Sequence, residues 1–381
     1  MIKSQSGVGG VKMPKYDLNQ IAAQFHTYRE ISPHGDGHIN DTYLARASES
    51  FILQRINREV FHDPEQVMHN IVLVTEHLRQ KLAKQGNTDP RAALRVIPTL
   101  DGKPFYRTEE GDYFRMYTFI DHARSYSEKP SPAIFYNAAR GFGRFFSLLS
   151  DFDPSRLYET IAHFHDTPAR YRALMDAAER DQLGRAAQVR EELSFVRARQ
   201  SDTAVVTRLL GTPDLPLRVT HNDTKLNNIM LDDQTGEPVC VIDLDTVMPG
   251  SILYDFGDSI RFGASSAAED EPDLDKVYCD LTLYESFTKG FLEETAAFLT
   301  PTEKQLLPFS ARLLTLECAM RFLTDYLEGD TYFKTSRAGQ NLDRARTQLK
   351  LVKDMEEKAE QMEQITIKYL SPQDKSTFSC A

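Results

Sequence analysis

Tryptophan is absent, cysteine occurs only four times in 381 residues, and basic residues are in deficit, with 45 Lys+Arg against 56 Asp+Glu for a formal net charge of −11. The cysteines, Cys240, Cys279, Cys318 and Cys380, are far apart and form no CxxC pair. That spacing excludes a zinc ribbon or a redox dithiol, and four thiols are too few for a disulfide framework on so long a chain. The acidic balance opposes broad binding to nucleic acid or anionic lipid, because the electrostatic driving force has the wrong sign. No stretch approaches the roughly 20 apolar residues of a membrane helix, and Met1–Lys15 has no signal-peptide core. The expectation is a reduced, cytoplasmic protein without a nucleic-acid, membrane or protein partner. No GxxxxGK[ST] occurs, which closes the Walker-A route to nucleotide binding.

What is present supports a folded chain of two lobes. The hydrophobic share of 41% is ordinary, and the length serves two cores. Residues 1–15 read as a mobile tail. Residues 16–121 read as a small β-rich lobe: a helix near Asp17–Phe25, short strands at Ile39–Ala45 and Phe51–Ile56, a helix over Pro64–Lys84 with Val67, Ile71, Val74 and Leu78 on one face, then strands at Val96–Leu100 and Tyr113–Ile120. Residues 122–371 read as a larger, mainly helical lobe. Its helices are expected at 132–150, 168–183, 185–210, 274–299, 301–327 and 342–370, and 372–381 form a tail. The fold class is therefore α+β and bilobal, with a seam near Ile120–Ser125.

The helical lobe is interrupted by one strand-loop-strand segment, Leu217–Val247, and this carries the chemistry. It reads Thr220-His221-Asn222-Asp223-Thr224-Lys225-Leu226-Asn227-Asn228, then an apolar strand, a turn at Gln234–Gly236, and a second strand ending at Ile242-Asp243-Leu244-Asp245. A hairpin would bring Asp223, Asn228 and Asp243 to one end of the sheet. Two carboxylates and an amide oxygen are hard ligands that suit a Mg²⁺ ion sharing phosphate oxygens. The remaining carboxylate can take a proton from a hydroxyl nucleophile. H-x-D-x₄-N followed by a strand and a second Asp is the kinase catalytic-loop arrangement. His163-Phe164-His165-Asp166 lacks metal-site spacing and reads as structural or substrate-side. Asp245, Asp255 and Asp258 read either as holders of the metal loop or as turn and helix caps. Glu269–Asp273 reads as a solvated acidic loop.

On these motifs the chain resembles the aminoglycoside phosphotransferase-like kinases, which share the protein-kinase-like fold. Gly35-Asp36-Gly37-His38-Ile39-Asn40, Phe51–Asn57, Ile161–Pro168, Thr220–Leu231, Asp255–Gly263 and Leu316 through Phe333 further resemble the N-acetylhexosamine 1-kinases within that family. The resemblance implies ATP- and Mg²⁺-dependent phosphorylation of N-acetylglucosamine or N-acetylgalactosamine at C1, giving the α-sugar 1-phosphate and ADP. It implies Asp223 as catalytic base, Asn228 and Asp243 as metal ligands, and His38, Arg321 and Tyr332 on the sugar side. Gly35 and Gly37 would cover the phosphates, and main-chain groups of Phe119 and Ile120 would meet adenine. Protein kinases hold the phosphates with a strand lysine; here the matching strand reads Ile52-Leu53-Gln54-Arg55. Alternation puts Gln54 and Arg55 on opposite faces, so either Gln54 or, with a shifted register, Arg55 serves. The competing expectations are a kinase of another hydroxyl acceptor, of aminoglycoside, choline or homoserine type, and an inactive kinase-like nucleotide-binding module.

Overall fold

The computed structural model describes residues 16–26, 28–35 and 39–377. Tertiary contacts divide these into two units. One holds the described residues up to Pro64 with Arg95–Phe119; the other holds Glu65–Leu94 and the chain from Ile120 onward.

The first unit is an antiparallel sheet. A short helix α1 (Leu18–Ala22), capped by the Asp17 carboxylate, precedes β1 (Glu30–Pro33), β2 (Asp41–Arg46) and β3 (Ser50–Ile56). The strands β4 (Val96–Ile97), β5 (Tyr106–Arg107) and β6 (Tyr113–Thr118) complete it, in the order β1-β2-β3-β6-β4, with β5 also on β6. Register explains the two faces. Phe51 and Leu53 of β3 alternate with Gln54, and Phe114 and Met116 of β6 alternate with Arg115. The apolar set packs with Ala45 under Ile21, Ala22 and Phe25 of α1 and its following turn. Gln54 and Arg115, direct cross-strand partners, lie on the other face.

The second unit is mainly helical. Its first helix, α2 (Pro64–Lys84), has the bounds its periodicity implies, but it belongs here and not with the sheet. The reason is visible in its polar contacts. Asn70 donates to the carbonyls of Tyr158 and Val247, and His77 and Lys81 both meet Asp151. Helix α3 (Pro132–Leu148) starts at the Ser131 cap with Pro132 in its first turn. Helix α4 (Thr167–Arg180) starts at Asp166. Where one helix was expected over 185–210 there are short pieces: a 3₁₀ turn, then α5 (Arg190–Arg197), α6 (Gln200–Thr203) and α7 (Val205–Leu209). Between α5 and α6, the Arg199 guanidinium is held by both oxygens of Glu356, at 2.8 and 2.6 Å.

The strand segment comprises β7 (Ala123–Arg124), β8 (Arg218–Thr220), the hairpin β9 (Ile229–Asp232) and β10 (Pro238–Val241), and β11 (Met248–Gly250), which pairs with β8. Then follow α8 (Ile252–Gly263), α9 (Leu281–Thr295), α10 (Pro301–Glu328), α11 (Gln340–Glu357), α12 (Ala359–Lys368) and α13 (Pro372–Thr377). Residues 274–299 are thus a 3₁₀ turn followed by a helix, and 342–370 are two helices. The second break falls at Lys358, whose ammonium donates to Asp354 and to the Cys279 carbonyl. Aromatic rings of α3, α8 and α9 form the core below the hairpin, with Phe135–Phe287 at 4.7 Å and Phe256–Phe291 at 5.2 Å between centroids. Gly141 of α3 is required there: a Cβ would meet Ile229 Cδ1 at 2.6 Å, so the absent side chain is what lets the hairpin sit on α3. Among the described residues no helix is long and apolar enough to cross a membrane.

Candidate active site

The loop between β8 and β9 is tied from three sides. Upstream, Arg218 on β8 forks onto the fully buried Glu303 carboxylate, at 2.6 and 2.8 Å, and Glu303 closes the capping box of α10 with Thr300. From below, the buried Asp255 carboxylate of α8 accepts the backbone N–H groups of His221 and Asn222, at 3.0 and 2.6 Å. From the side, Thr246 donates to the His221 carbonyl and Asn222 Nδ2 donates to the Thr246 carbonyl. Asn222 itself is left-handed, at φ +64°, a conformation asparagine tolerates better than most residues. Burial pushes the Asp255 carboxyl up to about 8, against the pull of its two N–H donors.

His221 is a tie-rod. A carbonyl only accepts, so His221 Nε2–H donates to Ile242 O at 2.9 Å, and Nδ1 accepts the Asp223 N–H at 3.3 Å. Burial lowers its basicity, which keeps this neutral tautomer. The Ile242 N–H in turn donates to Asn228 O at 2.9 Å. The ends of the two hairpin strands are therefore locked beside the loop, and Asp243, left-handed at φ +58°, follows directly.

Of the expected triple, this framework brings Asp223 and Asn228 into contact, and Asp243 directly follows Ile242, whose N–H is bonded to Asn228. Asn228 Nδ2 donates both to the Asp223 carbonyl (2.8 Å) and to Asp223 Oδ2 (2.9 Å), which commits its two N–H bonds and leaves Oδ1 as its accepting atom. Lys225 Nζ lies 2.5 Å from Asp223 Oδ1. Burial alone would lower the Lys225 ammonium, but Asp223 and Asp258 outweigh it and hold it above its usual range. Among the described residues no group of three or more His, Cys, Asp or Glu side chains converges on a metal position. Asn228 Oδ1 and Asp243 are the hard oxygen donors a Mg²⁺ would find, with the rest of its shell from phosphate and water.

A second cluster stands on α4 and α10. A cavity of about 200 Å³ is lined by His163, Phe164, His165, Asn222, Met248 and Tyr254. His165 Nδ1 meets the buried Glu317 at 2.8 Å, Thr167 donates to the other Glu317 oxygen at 2.5 Å, and the His165 ring lies 4.7 Å from Tyr254. Burial pushes Glu317 up, yet His165, Thr167 and Arg321 outweigh it and hold the carboxyl below its ordinary range. One turn along α10, the Arg321 guanidinium lies 5.9 Å from the Tyr332 ring and 5.4 Å from Phe333. The Tyr332 loop is held by Asp325, which accepts the N–H groups of Thr331, Tyr332 and Phe333 at 2.8–2.9 Å. Arg321 and Tyr332 thus stand side by side.

In the sheet unit, Gly35 takes φ +72° after β1, while Gly37 and His38 lie outside the described residues. Gln54 faces away from α1; Arg55 does not. Arg55 pairs with Asp41 at 2.6 Å and sits over Tyr16, on the α1 side, so no register shift brings it to the face of Gln54. The Phe119 N–H donates to Ser50 O, so any purine contact there would use other main-chain groups of Phe119 and Ile120. Two readings need correction or extension. The Glu269–Asp273 run is not simply solvated, since Glu269 pairs with the buried Arg261 at 2.9 Å. Of the three acids left open, Asp255 holds the loop and Asp258 pairs with Arg261 at 2.9 Å. Sequence reasoning passed over Lys225, which lay inside the motif. It also passed over Asp325, Glu317 and Arg115, whose partners are set by the fold and carry no local signal.

These elements are a kinase-like arrangement, and comparison with known proteins agrees. The model of the phosphotransferase enzyme family matches residues 30–288, and the chain belongs to that family. It is similar to a microcompartment-associated aminopropanol kinase (17% identity, TM-score 0.56, 91% of this chain and 98% of that one). It is also similar to amicoumacin kinase solved with AMP-PNP, Ca²⁺ and Ami (14%, 0.55, 90% and 94%). A third likeness is to an aminoglycoside phosphotransferase from Alicyclobacillus acidocaldarius (13%, 0.56, 95% and 98%). Identities this low establish the fold alone; the family match establishes an ATP-dependent phosphotransferase acting on small molecules.

Proposed function

We propose that this protein is a Mg²⁺-dependent anomeric kinase of N-acetylhexosamines, transferring the γ-phosphoryl group of ATP to the C1 hydroxyl of N-acetylglucosamine or N-acetylgalactosamine. The observation that carries the transfer is the Asp223 carboxylate, fixed between Lys225 Nζ and Asn228 Nδ2. Each of its oxygens retains a lone pair for the acceptor hydroxyl. Asp223 accepts the hydroxyl proton as that oxygen bonds to the γ-phosphorus, and the bond from phosphorus to the ADP oxygen breaks. Asn228 and Asp243 would hold the metal, which when bound neutralises charge on the phosphate oxygens. Gly35, Gly37, Gln54, Phe119 and Ile120 are the groups assigned to the nucleotide.

For the acceptor, Arg321 beside the Tyr332 and Phe333 rings offers a donor fork and an apolar face, the pair that an acetamido carbonyl and a sugar ring use; His38 is assigned to the same substrate. The competing acceptor, an amino alcohol or aminoglycoside, would bring an ammonium toward a site where Arg321 is close enough to Arg170 to contribute to that group's lowered basicity, after burial. Like charge disfavours it.

The test is ADP release measured over N-acetylhexosamines, aminoglycosides, choline and homoserine, with and without Mg²⁺, for the wild type and Asp223→Asn. Turnover should require Mg²⁺ and an N-acetylhexosamine, and should fall by about 10² to 10⁴ in the variant with its circular dichroism unchanged. Full activity in Asp223→Asn sinks the role of Asp223, and turnover confined to amines sinks the sugar reading.

A further inference from the structure

One nitrogen on the wall of the cavity beside α4 lacks a partner. His165, in the turn that leads into α4, is among the residues that line this cavity, and its side chain is only 8% exposed. Nδ1 is committed to Glu317 at 2.8 Å, but among the described residues Nε2 has no hydrogen-bond partner. The ring is held as well as paired, since the Phe164 and Tyr254 rings each lie 4.7 Å from it, centroid to centroid. A buried polar atom without a partner costs stability, so its place on a cavity wall points to a group that binds there. The cavity also reaches the reaction. Asn222, directly before Asp223, is another of its lining residues, and the Asp255 carboxylate fixes the Asn222 N–H at 2.6 Å. The cavity and the Asp223 carboxylate therefore share one loop.

We propose that this cavity receives one hydroxyl-bearing edge of the acceptor sugar, and that His165 Nε2, oriented by Glu317, recognises that hydroxyl. This rests on the N-acetylhexosamine reading of the acceptor.

The argument is one of size and hydrogen-bond chemistry. A cavity of about 200 Å³ is smaller than the roughly 300–1,000 Å³ of a pocket for a drug-sized ligand; it suits one edge of a sugar ring and not a second ring. Glu317 is held below the ordinary carboxyl range, so it is ionised and the proton between the two groups stays on His165 Nδ1. That bond fixes which nitrogen is left for a ligand. Nε2 is a lone pair on the neutral ring and an N–H on the imidazolium. A hydroxyl both donates and accepts and so pairs with either form, whereas an ammonium pairs only with the first and an anion only with the second. Arg170, whose Nη2 donates to the Phe164 carbonyl at 3.1 Å, sets a cation behind the same wall and disfavours an ammonium further. The acids of the cavity are partly committed: Glu159 accepts the His163 N–H and Asp166 caps α4 at the Ala169 N–H, each at 2.9 Å.

The experiment uses the full chain and measures kcat and KM by ADP release for N-acetylglucosamine and its 3-, 4- and 6-deoxy analogues. The variant is His165→Asn, in which the amide nitrogen takes the place of Nδ1, keeping a donor to Glu317 while Nε2 is removed. The wild type should lose at least about tenfold in kcat/KM on one of the deoxy sugars, because the site's polar group is then left unpaired. His165→Asn should lose a similar factor on N-acetylglucosamine itself, treat that sugar and the discriminated deoxy analogue within twofold of each other, and keep its KM for ATP. A variant that discriminates as the wild type does, with an equal loss on every sugar, is the outcome of a purely structural histidine and overturns the proposal. So does a wild type that loses less than twofold on all three deoxy sugars. If His165→Asn fails to fold, the wild type labelled with ¹⁵N-histidine decides. Its His165 Nε2 resonance should move with N-acetylglucosamine and not with the discriminated analogue, and a resonance that stays in place with both refutes the proposal. Turnover of N-acetylglucosamine with none of these effects overturns this inference and leaves the acceptor reading standing, whereas a wild type that phosphorylates no N-acetylhexosamine overturns both.

Discussion

Asp255→Asn is the most informative change that touches no reacting atom. The carboxylate is 1% exposed and accepts two consecutive backbone N–H groups, one on each oxygen. Asparagine has the same shape but can accept on only one side; its NH₂ would face a backbone N–H, leaving that donor buried and unpaired. An unpaired buried donor costs about 1–3 kcal/mol, so the variant should lose roughly 2–3 kcal/mol, and Asp255→Ala, which strands both donors, about 2–6 kcal/mol. Charge works in the opposite direction: burial pushes the wild-type carboxyl up to about 8, so ionising it costs stability, and the loss in the variant should be largest in acid and shrink as pH rises. The sign follows: a folded value above the unfolded one, about 3.9, means that Asp255 contributes stability in acid that is lost as pH rises toward 8. The slope is at most about 1.4 kcal/mol per pH unit, and Asp255→Asn should flatten it. Catalysis should suffer as well. The two N–H groups belong to His221 and Asn222, directly before Asp223, and a shift of about 1 Å at a reacting group costs up to 10²-fold. Urea unfolding followed by far-ultraviolet circular dichroism, the chain having no tryptophan, gives the stability at pH 5, 7 and 8; ADP release gives kcat. Asp255→Asn within 0.5 kcal/mol of wild type at every pH, with kcat intact, would refute this account of the loop.

Glu317→Gln removes a buried carboxylate whose folded pKa is depressed, so its contribution is present above the unfolded value of about 4.3 and is lost as pH falls below that. The variant should be less stable at neutral pH by about 3 kcal/mol and should show a shallower acid transition; an unaltered acid transition contradicts the pairing with His165. Gly257→Ala should force α8 from α10, since a Cβ there would meet the Ser310 carbonyl at 2.4 Å. Overpacking of this kind costs about 1–3 kcal/mol, and KM for the acceptor should change together with kcat. A change in stability alone would mean that the two helices do not set both loops.

Much of the fold was legible where a pattern is local. Helix α2 follows from one apolar stripe and a first-turn proline, and α10 from the long helical pattern over 301–327. The spacing of Asp223 and Asn228 was legible because a loop and one strand fix it. Failures came where partners are distant. Nothing in 185–210 says that Arg199 will be drawn to Glu356, and nothing near Lys358 announces the Cys279 carbonyl. Gln54 and Arg55 could not be separated by alternation alone, because alternation says that they differ in face but not which face is which. The packing of Phe51 and Leu53 under α1 decides that.

The negative charge of the chain also takes on a specific meaning. Its decisive acids are not a polyanionic face but clamps on backbone. Asp255 on α8 accepts consecutive N–H groups of the loop that carries Asp223, and Asp325 on α10 accepts three from the loop that carries Tyr332. In each case a carboxylate on a long helix converts a mobile loop into a fixed one, at the cost of burying an acid. Because α8 and α10 touch with no room for a methyl group between Gly257 and Ser310, the two clamps share one rigid base. The Asp223 carboxylate and the Tyr332 loop are therefore positioned relative to one another by helix packing within a single unit. A nucleophile that must meet a phosphorus in line needs that kind of fixed geometry, for which loops alone are too loose.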